Sequence, residues 1–154
     1  MLLIVYWEIF KTVIPENMME EYILNEDIKV MYVTAESFPD GVLAAHQKLH
    51  TMFPADEKRR YFGISMPNEE CTIIYKAAVE EIADGEAEKF GLETFRIKKG
   101  VFISALILDF MRDVSEVGKT FEKLLEHPNL DPNGYCLEIY NNETDVRCMV
   151  GLKK

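Results

Sequence analysis

The sequence is poor in cysteine and has no cysteine arrangement that binds metal or staples a small domain. Its three cysteines, Cys71, Cys136 and Cys148, are an odd number, and none belongs to a CxxC pair, so neither a zinc ribbon nor a disulfide framework is indicated. Cys136 and Cys148 stand nearly opposite each other on the two arms of a predicted hairpin, where we expect buried thiols rather than a disulfide. Reduced thiols are typical of the cytoplasm, which is the compartment the sequence predicts.

The sequence also lacks a basic surface patch. It carries 27 acidic against 17 basic residues, for a net charge of −10, and the nearest approach to a basic cluster is Lys58, Arg59 and Arg60. A field of this sign repels phosphate backbones. We therefore expect no direct binding to nucleic acid.

Long apolar runs are absent apart from the opening stretch MLLIVYWEIF, residues 1–10. No basic residue precedes it, it contains Glu8, and it is shorter than the ~20 residues of a membrane-spanning helix. Neither a signal peptide nor a membrane span is predicted. Residues 1–17 are open to two interpretations, a read-through from an upstream start or an added strand or helix, and we divide the chain into an N-terminal extension, 1–26, and a domain, 27–154.

Common catalytic motifs are missing as well. The chain has no phosphate-binding glycine loop, no GxSxG elbow and no paired cysteine metal site. His46 and His50 stand four residues apart on a predicted helix, but HQKLH lacks the glutamate of the zinc-hydrolase motif. We expect a partly exposed helical surface there, no metal site and no cofactor.

What the sequence does contain is a repeated order of elements. Hydrophobic periodicity and turn residues predict a strand, a helix and a hairpin, twice over. The predicted elements are a strand at 27–38, a helix at 39–53 and a hairpin of 60–66 with 71–82, then a strand at 99–110, a helix at 115–127 and a hairpin of 134–140 with 145–152. Between the two halves we expect a short helical or irregular piece and one more strand, ETFRI. The predicted fold is α+β, a duplicated β-α-β-β unit whose antiparallel sheets lie side by side, with both helices on one face and a ligand cleft between the repeats.

Glu138 interrupts the most regular hairpin of the chain. Alternation places Leu137 and Ile139 on one face of the strand and Glu138 and Tyr140 on the other. We expect the apolar pair under the helices and Glu138 on the open face. There it is either a solvated strand carboxylate or the floor of an aromatic cleft, where a desolvated carboxylate selects cationic or donor-rich ligands. The wall candidates on other strands, some of which must belong to the core instead, are Phe38, Tyr61, Phe62, Tyr75 and Phe102.

Several stretches resemble a known family. ESFPDGVLAAHQKL, YFGIS, IIYKAA, KKGVFIS, GKTFEKLL and GYCLEIYNNETDVRCMVGL occur in this order over residues 27–152 and resemble GyrI-like effector-binding domains, the ligand-sensing parts of multidrug-responsive transcription activators. The EIY strand with its acidic turn is the most specific of them. The resemblance implies the same duplicated fold. It also implies that Glu138 lies at the base of an aromatic pocket for lipophilic cations, with Tyr140 near its mouth.

The resemblance leaves three functions open. The first is a stand-alone domain that binds small molecules as a sensor, a sequestering agent or the partner of a separate regulator, because no helix-turn-helix fits before residue 27. The second is a hydrolase of strained-ring genotoxic compounds with Glu138 as general base, assisted by Tyr61, Tyr75 or Tyr140. The third is a protein-interaction module like gyrase-inhibiting relatives. The ligand set expected for the first function is Glu138, Tyr140, Tyr61, Tyr75, Phe102 and Phe38.

Overall fold

The computed structural model describes residues 18–53 and 58–154 of the chain. Within them lie eight strands and three α-helices: β1 Met19–Leu24, β2 Ile28–Thr34, α1 Val42–Met52, β3 Tyr61–Pro67, β4 Ile73–Glu80, α2 Glu86–Phe90, β5 Glu93–Ile97, β6 Gly100–Ile107, α3 Ser115–Leu124, β7 Cys136–Tyr140 and β8 Val146–Gly151. The predicted α+β class is confirmed. A short 3-10 turn, Phe110–Arg112, precedes α3.

The strands form one antiparallel sheet in the order β1-β6-β8-β7-β3-β4-β2-β5. The two predicted units are present, β2-α1-β3-β4 and β6-α3-β7-β8. The three strands of each unit lie next to one another, so each unit occupies its own half of the sheet. The two antiparallel sheets that we expected side by side are joined into one because β3 pairs with β7. Residues 19–24, which the sequence analysis placed in the N-terminal extension, form β1 and join this sheet. Residues 1–17, for which two interpretations were left open, lie outside the described residues.

The sheet curls until its two ends approach each other. β1 and β2 are six strand positions apart in the sheet, about 29 Å if the sheet were flat with strands about 4.8 Å apart. Only residues 25–27 connect them. The four Cα–Cα steps from Leu24 to Ile28, at about 3.8 Å each, span at most about 15 Å, which is too short for a flat sheet. A contact across the curl agrees, since the rings of Phe95 on β5 and Tyr135 beside β7 have centroids 5.2 Å apart. At the crossing, the backbone N–H of Lys99 donates to Asp27 Oδ1 at 2.8 Å.

The curl gives the sheet an inner core without helices. Leu137 and Ile139 are buried in this inner core together with apolar residues from all the other strands. Our expectation that Leu137 and Ile139 pack under the helices is therefore wrong. The helices cover the other face, α1 over β2 and β4 and α3 over β6 and β8.

Helices α1 and α3 lie on opposite halves of that outer face. The apolar side of α1 faces the sheet, with Ala45 and Leu49 buried and Val42 and Met52 packed beside them. Because α1 lies over one unit and α3 over the other, the central strands β3 and β7 form the floor between the two helices. No helix in the described parts of the chain is long and apolar enough to cross a membrane.

Candidate functional site

Glu138 lies on the floor between the two helices. Its neighbours on β7 alternate, so the side chain points to the helix-covered face, opposite to Leu137 and Ile139. The residue is 7% exposed and is paired across the strands with Gly63 on β3 and Cys148 on β8. The sequence interpretation of a carboxylate bathed in solvent does not fit this burial.

Two tyrosines hold the Glu138 carboxylate. The Tyr75 hydroxyl donates to Glu138 Oε2 at 2.7 Å, and the Tyr140 hydroxyl donates to the same oxygen at 3.3 Å. The first distance is ideal for an O–H donor and the second is long, so Tyr75 makes the stronger bond. On its other side the Tyr75 hydroxyl lies 2.8 Å from Nε2 of His46, which is carried by α1.

Burial dominates the protonation of this cluster. Desolvation raises the pKa of Glu138 to about 7, although the hydrogen bonds from Tyr75 and Tyr140 work in the opposite direction. Desolvation and the Glu138 charge raise the pKa values of both tyrosines, so both stay protonated donors. Desolvation, together with the nearby His50, lowers the pKa of His46 to about 4. At neutral pH the cluster therefore contains one carboxylate close to its titration point and otherwise neutral groups.

The carboxylate has no cationic partner among residues 18–53 and 58–154. The lysines and arginines that form ion pairs in the described residues pair with acidic residues other than Glu138. No positive charge contributes to the pKa shift of Glu138. Both tyrosine bonds end on Oε2. In the described part no buried side-chain polar atom lacks a hydrogen-bond partner, so Oε1, which receives neither bond, keeps contact with accessible space. A buried negative charge of this kind is costly until a cation or another donor meets it.

Aromatic rings pack against the two tyrosines that bond Glu138. The Phe38 ring is stacked on Tyr75 with centroids 6.0 Å apart, and the Phe110 ring meets Tyr140 edge-on at 5.5 Å. His46 contacts both tyrosine rings, at 5.7 Å and 5.3 Å. Phe38 follows β2 and Phe110 follows β6, so each unit contributes one phenylalanine from the connection that leads to its helix.

Two surface hollows of about 560 and 570 Å³ lie elsewhere on the described part of the structure, where ion pairs such as Lys29 with Glu81 and Arg60 with Glu80 line them. Neither is lined by Glu138.

Of the six residues named from the sequence, four come together in this cluster: Glu138, Tyr140, Tyr75 and Phe38. Tyr61 lies on the same face, directly opposite Tyr140, but its ring stacks on His50 with centroids 4.2 Å apart. Phe102 is buried in the inner core on the other face of the sheet. Including Phe102 among the cleft walls is therefore wrong for this structure, because alternation along β6 turns it away from Glu138.

Three members of the cluster were not identified from the sequence: His46, Phe110 and Gly63. His46 was expected on a partly exposed helical surface, yet it lies four residues after Val42 and three before Leu49, a spacing that belongs to the inward stripe. Glycine inside the strand YFGIS was a second signal, since it often marks a close approach of another group. Phe110 had no comparable signal.

The two histidines of α1 serve different contacts. His46 bonds Tyr75, and His50 stacks on Tyr61. Among the described residues no group of three or more histidine, cysteine or acidic side chains is arranged to hold a metal ion. The functional groups that the hydrogen bonds bring together at the site are a carboxylate, two phenols and an imidazole.

The prediction of free thiols is confirmed. Cys136 and Cys148 lie on the same face as Glu138 and neither forms a disulfide, and Cys71 is exposed in a turn. Burial and the Glu138 charge raise the pKa of Cys136 to about 11 and that of Cys148 further. Both therefore remain neutral thiols that add no charge to the floor of the site.

Solved structures of similar fold exist for this chain, whereas the sequence comparisons find no match. No protein-family model matches the sequence, and no curated protein is similar to it in sequence. Among solved structures, the integron cassette protein VCH_CASS2 from the mobile metagenome of Vibrio cholerae has a TM-score of 0.59 at 11% identity, over 88% of this chain and 95% of that one. SAV2435, solved bound to tetraphenylphosphonium, has a TM-score of 0.56 at 12% identity, over 88% and 93%. A proposed bacterial transcription regulation protein from Staphylococcus aureus MU50 has a TM-score of 0.52 at 10% identity, over 88% and 97%. At these identities the likeness establishes a shared fold.

Proposed function

We propose that this protein is a small-molecule binding domain of the GyrI-like kind that takes lipophilic cations at Glu138. The single observation that carries the proposal is the buried carboxylate, which is held by neutral hydroxyls and has no cationic side chain from residues 18–53 or 58–154 beside it. A ligand cation would supply the missing charge, and the rings of Phe38, Tyr75 and Tyr140 would add cation–π attraction. The tetraphenylphosphonium bound by SAV2435, a protein of similar fold, is a ligand of this chemistry.

The proposal includes a biological setting. The protein would act in the cytoplasm, for which its free thiols are suited, as a sensor or sequestering domain of multidrug-recognition type. Any effect on transcription would pass through a separate regulator, because the net charge of −10 repels the phosphates of an operator.

The test is a thermal-shift titration with tetraphenylphosphonium. The wild-type protein should be stabilised in proportion to ligand occupancy, whereas triphenylphosphine oxide, a neutral compound with similar rings, should give a much smaller shift. The Glu138→Gln variant keeps the size of the side chain and removes its charge, so it should lose most of the cation response. An equal response of Glu138→Gln and wild type would exclude Glu138 as the cation site.

A second function is favoured by the same carboxylate. Its pKa of about 7 suits a general base near neutral pH, and the free Oε1 could accept a proton from a water bound in the cleft. The hydrolase alternative predicts turnover of neutral strained-ring compounds, with Tyr75 or Tyr140 rather than Tyr61 as the assisting tyrosine because both of these donate to the carboxylate. In that case Glu138→Gln would abolish product formation and retain substrate binding, the reverse of the effect expected for a cation site.

The third alternative is a protein-interaction module resembling gyrase-inhibiting relatives. It would be distinguished by a stable complex with a protein partner that does not respond to tetraphenylphosphonium.

A further inference from the structure

His46 has an unusual position for a histidine on an amphipathic helix. It is partly buried against the sheet, and its ring contacts the rings of Tyr75 and Tyr140 at 5.7 Å and 5.3 Å. Its Nε2 lies 2.8 Å from the Tyr75 hydroxyl. The titratable groups that face this ring are Tyr75 and Tyr140 from the sheet, Glu138 behind them, and His50 one turn along α1.

Counting protons settles the direction of each hydrogen bond. Tyr75 has a single O–H, and an ionised Glu138 can only accept, so the 2.7 Å bond uses the tyrosine proton. The Tyr75 oxygen must then accept from His46, which requires a hydrogen on Nε2. Burial lowers the pKa of His46 to about 4, so at neutral pH the ring is uncharged and its Nδ1 carries no hydrogen.

We propose that His46 is a positioning residue of this site, which donates its Nε2–H to Tyr75 and thereby keeps the Tyr75 proton directed at Glu138. The inference rests on the proposed function for its biological meaning. The hydrogen-bond chain itself exists without ligand. A donor that accepts a hydrogen bond becomes a better donor, so the bond from His46 strengthens the one from Tyr75 to Glu138.

The arrangement has a consequence for ligand selection. A stronger bond from Tyr75 favours the ionised form of Glu138, and the uncharged imidazole places no positive charge beside an incoming cation. His46 thus supports the negative charge of the site without neutralising it. A positively charged side chain in its place would offset the charge of Glu138.

The first test observes the tautomer directly. Two-dimensional NMR correlating ring protons with ring nitrogens distinguishes the three states of a histidine, and the chain has only three histidines. For the ligand-free protein at about pH 7.5 we expect the histidine whose signals disappear in His46→Gln to carry a hydrogen on Nε2 alone. A hydrogen on Nδ1 alone, or on both nitrogens, would overturn the proposal.

The second test measures the effect on Glu138. Carbon-13 NMR of the labelled Glu138 carboxyl gives its titration midpoint in the ligand-free protein. If His46 had only a structural role, variants with and without an N–H donor at position 46 would change this midpoint equally. His46→Phe keeps a ring and removes the donor, so the midpoint should rise by roughly half a pH unit or more. His46→Gln retains an N–H donor and should leave the midpoint near that of the wild type.

The two tests separate this inference from the proposed function. Equal midpoints in wild type and His46→Phe would refute the positioning role, whatever the protein binds. Equal shifts in His46→Phe and His46→Gln would also refute it, because packing rather than the donor would be responsible. A wild-type protein that ignores tetraphenylphosphonium but shows the Nε2–H tautomer and the selective shift would refute the cation-binding proposal alone.

Discussion

Gly63 lies directly opposite Glu138 in the antiparallel pair of β3 and β7, and the space that a side chain at position 63 would fill holds Glu138 Oε2 and the Tyr75 hydroxyl. Any other residue at this position would collide with both groups. The central strand β7 thus provides the acidic group, and the central strand β3 of the other unit provides the space for it. Tyr75, from the neighbouring strand β4, reaches over Gly63 to meet the carboxylate.

Replacing Gly63 by alanine should therefore disrupt the site. The new methyl group would push apart Glu138 and Tyr75, and we expect a loss of about 1–3 kcal/mol in the free energy of unfolding together with weaker cation binding. Urea denaturation and titration calorimetry measure the two effects. Gly118→Ala is the matched control, because nothing lies within 4 Å of the added methyl group in α3. It should stabilise the protein by up to about 1 kcal/mol, and a Gly63→Ala protein with the same behaviour would contradict the geometry.

Glu138 should make stability depend on pH in a specific direction. Burial raises its pKa from the ordinary 4.5 to about 7, so between these values the folded protein retains a proton that the unfolded chain releases. Its favourable contribution is complete below about pH 4.5 and is lost as the pH rises through about 7. Relative to Glu138→Gln, the wild type should lose up to about 3 kcal/mol of unfolding free energy between about pH 4.5 and pH 8.

Denaturation of both proteins over this pH range checks the prediction. His46 titrates with the opposite sign, since its lowered pKa reduces stability as the pH falls, but it is present in both proteins and its direct contribution cancels in the difference. A constant difference between wild type and variant would mean that Glu138 is not desolvated.

Phe38 and Phe102 provide a test of which face binds ligand. Phe38 is stacked on Tyr75 at the edge of the cluster and is 47% exposed, so Phe38→Ala should reduce cation affinity by roughly fivefold, about 1 kcal/mol of cation–π attraction, with little loss of stability. Phe102 is buried in the inner core. Phe102→Leu should lower the free energy of unfolding by about 1–2 kcal/mol and leave the affinity unchanged. Calorimetric titration of both variants gives the comparison, and the reverse pattern would place the binding site on the inner face.

The order of elements could be predicted from the sequence because local signals determine it. Alternation, helical spacing and turn residues predict the strands from 27 onward and the helices α1 and α3 in their observed order, and they leave α2 as a short helical or irregular piece. Local signals do not show which side of the sheet the apolar residues of each strand occupy. Leu137 and Ile139 look equally suited to packing under a helix or into an inner core, and the choice depends on the curl of the whole sheet, which residues distant in the chain produce.

The candidate site was predictable in part for the same reason. Glu138 stood out because a carboxylate is rare in the middle of an otherwise apolar strand, and the resemblance to effector-binding domains directed attention to it. The role of His46 depends on a contact with Tyr75, 29 positions away, and no local pattern shows it. Phe102 matched the residue type required of a wall, but its face was set by the register of β6 with β1 and β8.

The most direct test of the account is the pH dependence of tetraphenylphosphonium binding, measured by calorimetry on wild type and Glu138→Gln. Because the Glu138 carboxyl titrates at about 7, the wild-type affinity should rise by about tenfold or more between about pH 5.5 and pH 8. The variant should bind weakly at both values. A wild-type affinity that does not change with pH, or that Glu138→Gln reproduces at about pH 8, would contradict the claim that this buried carboxylate binds cations.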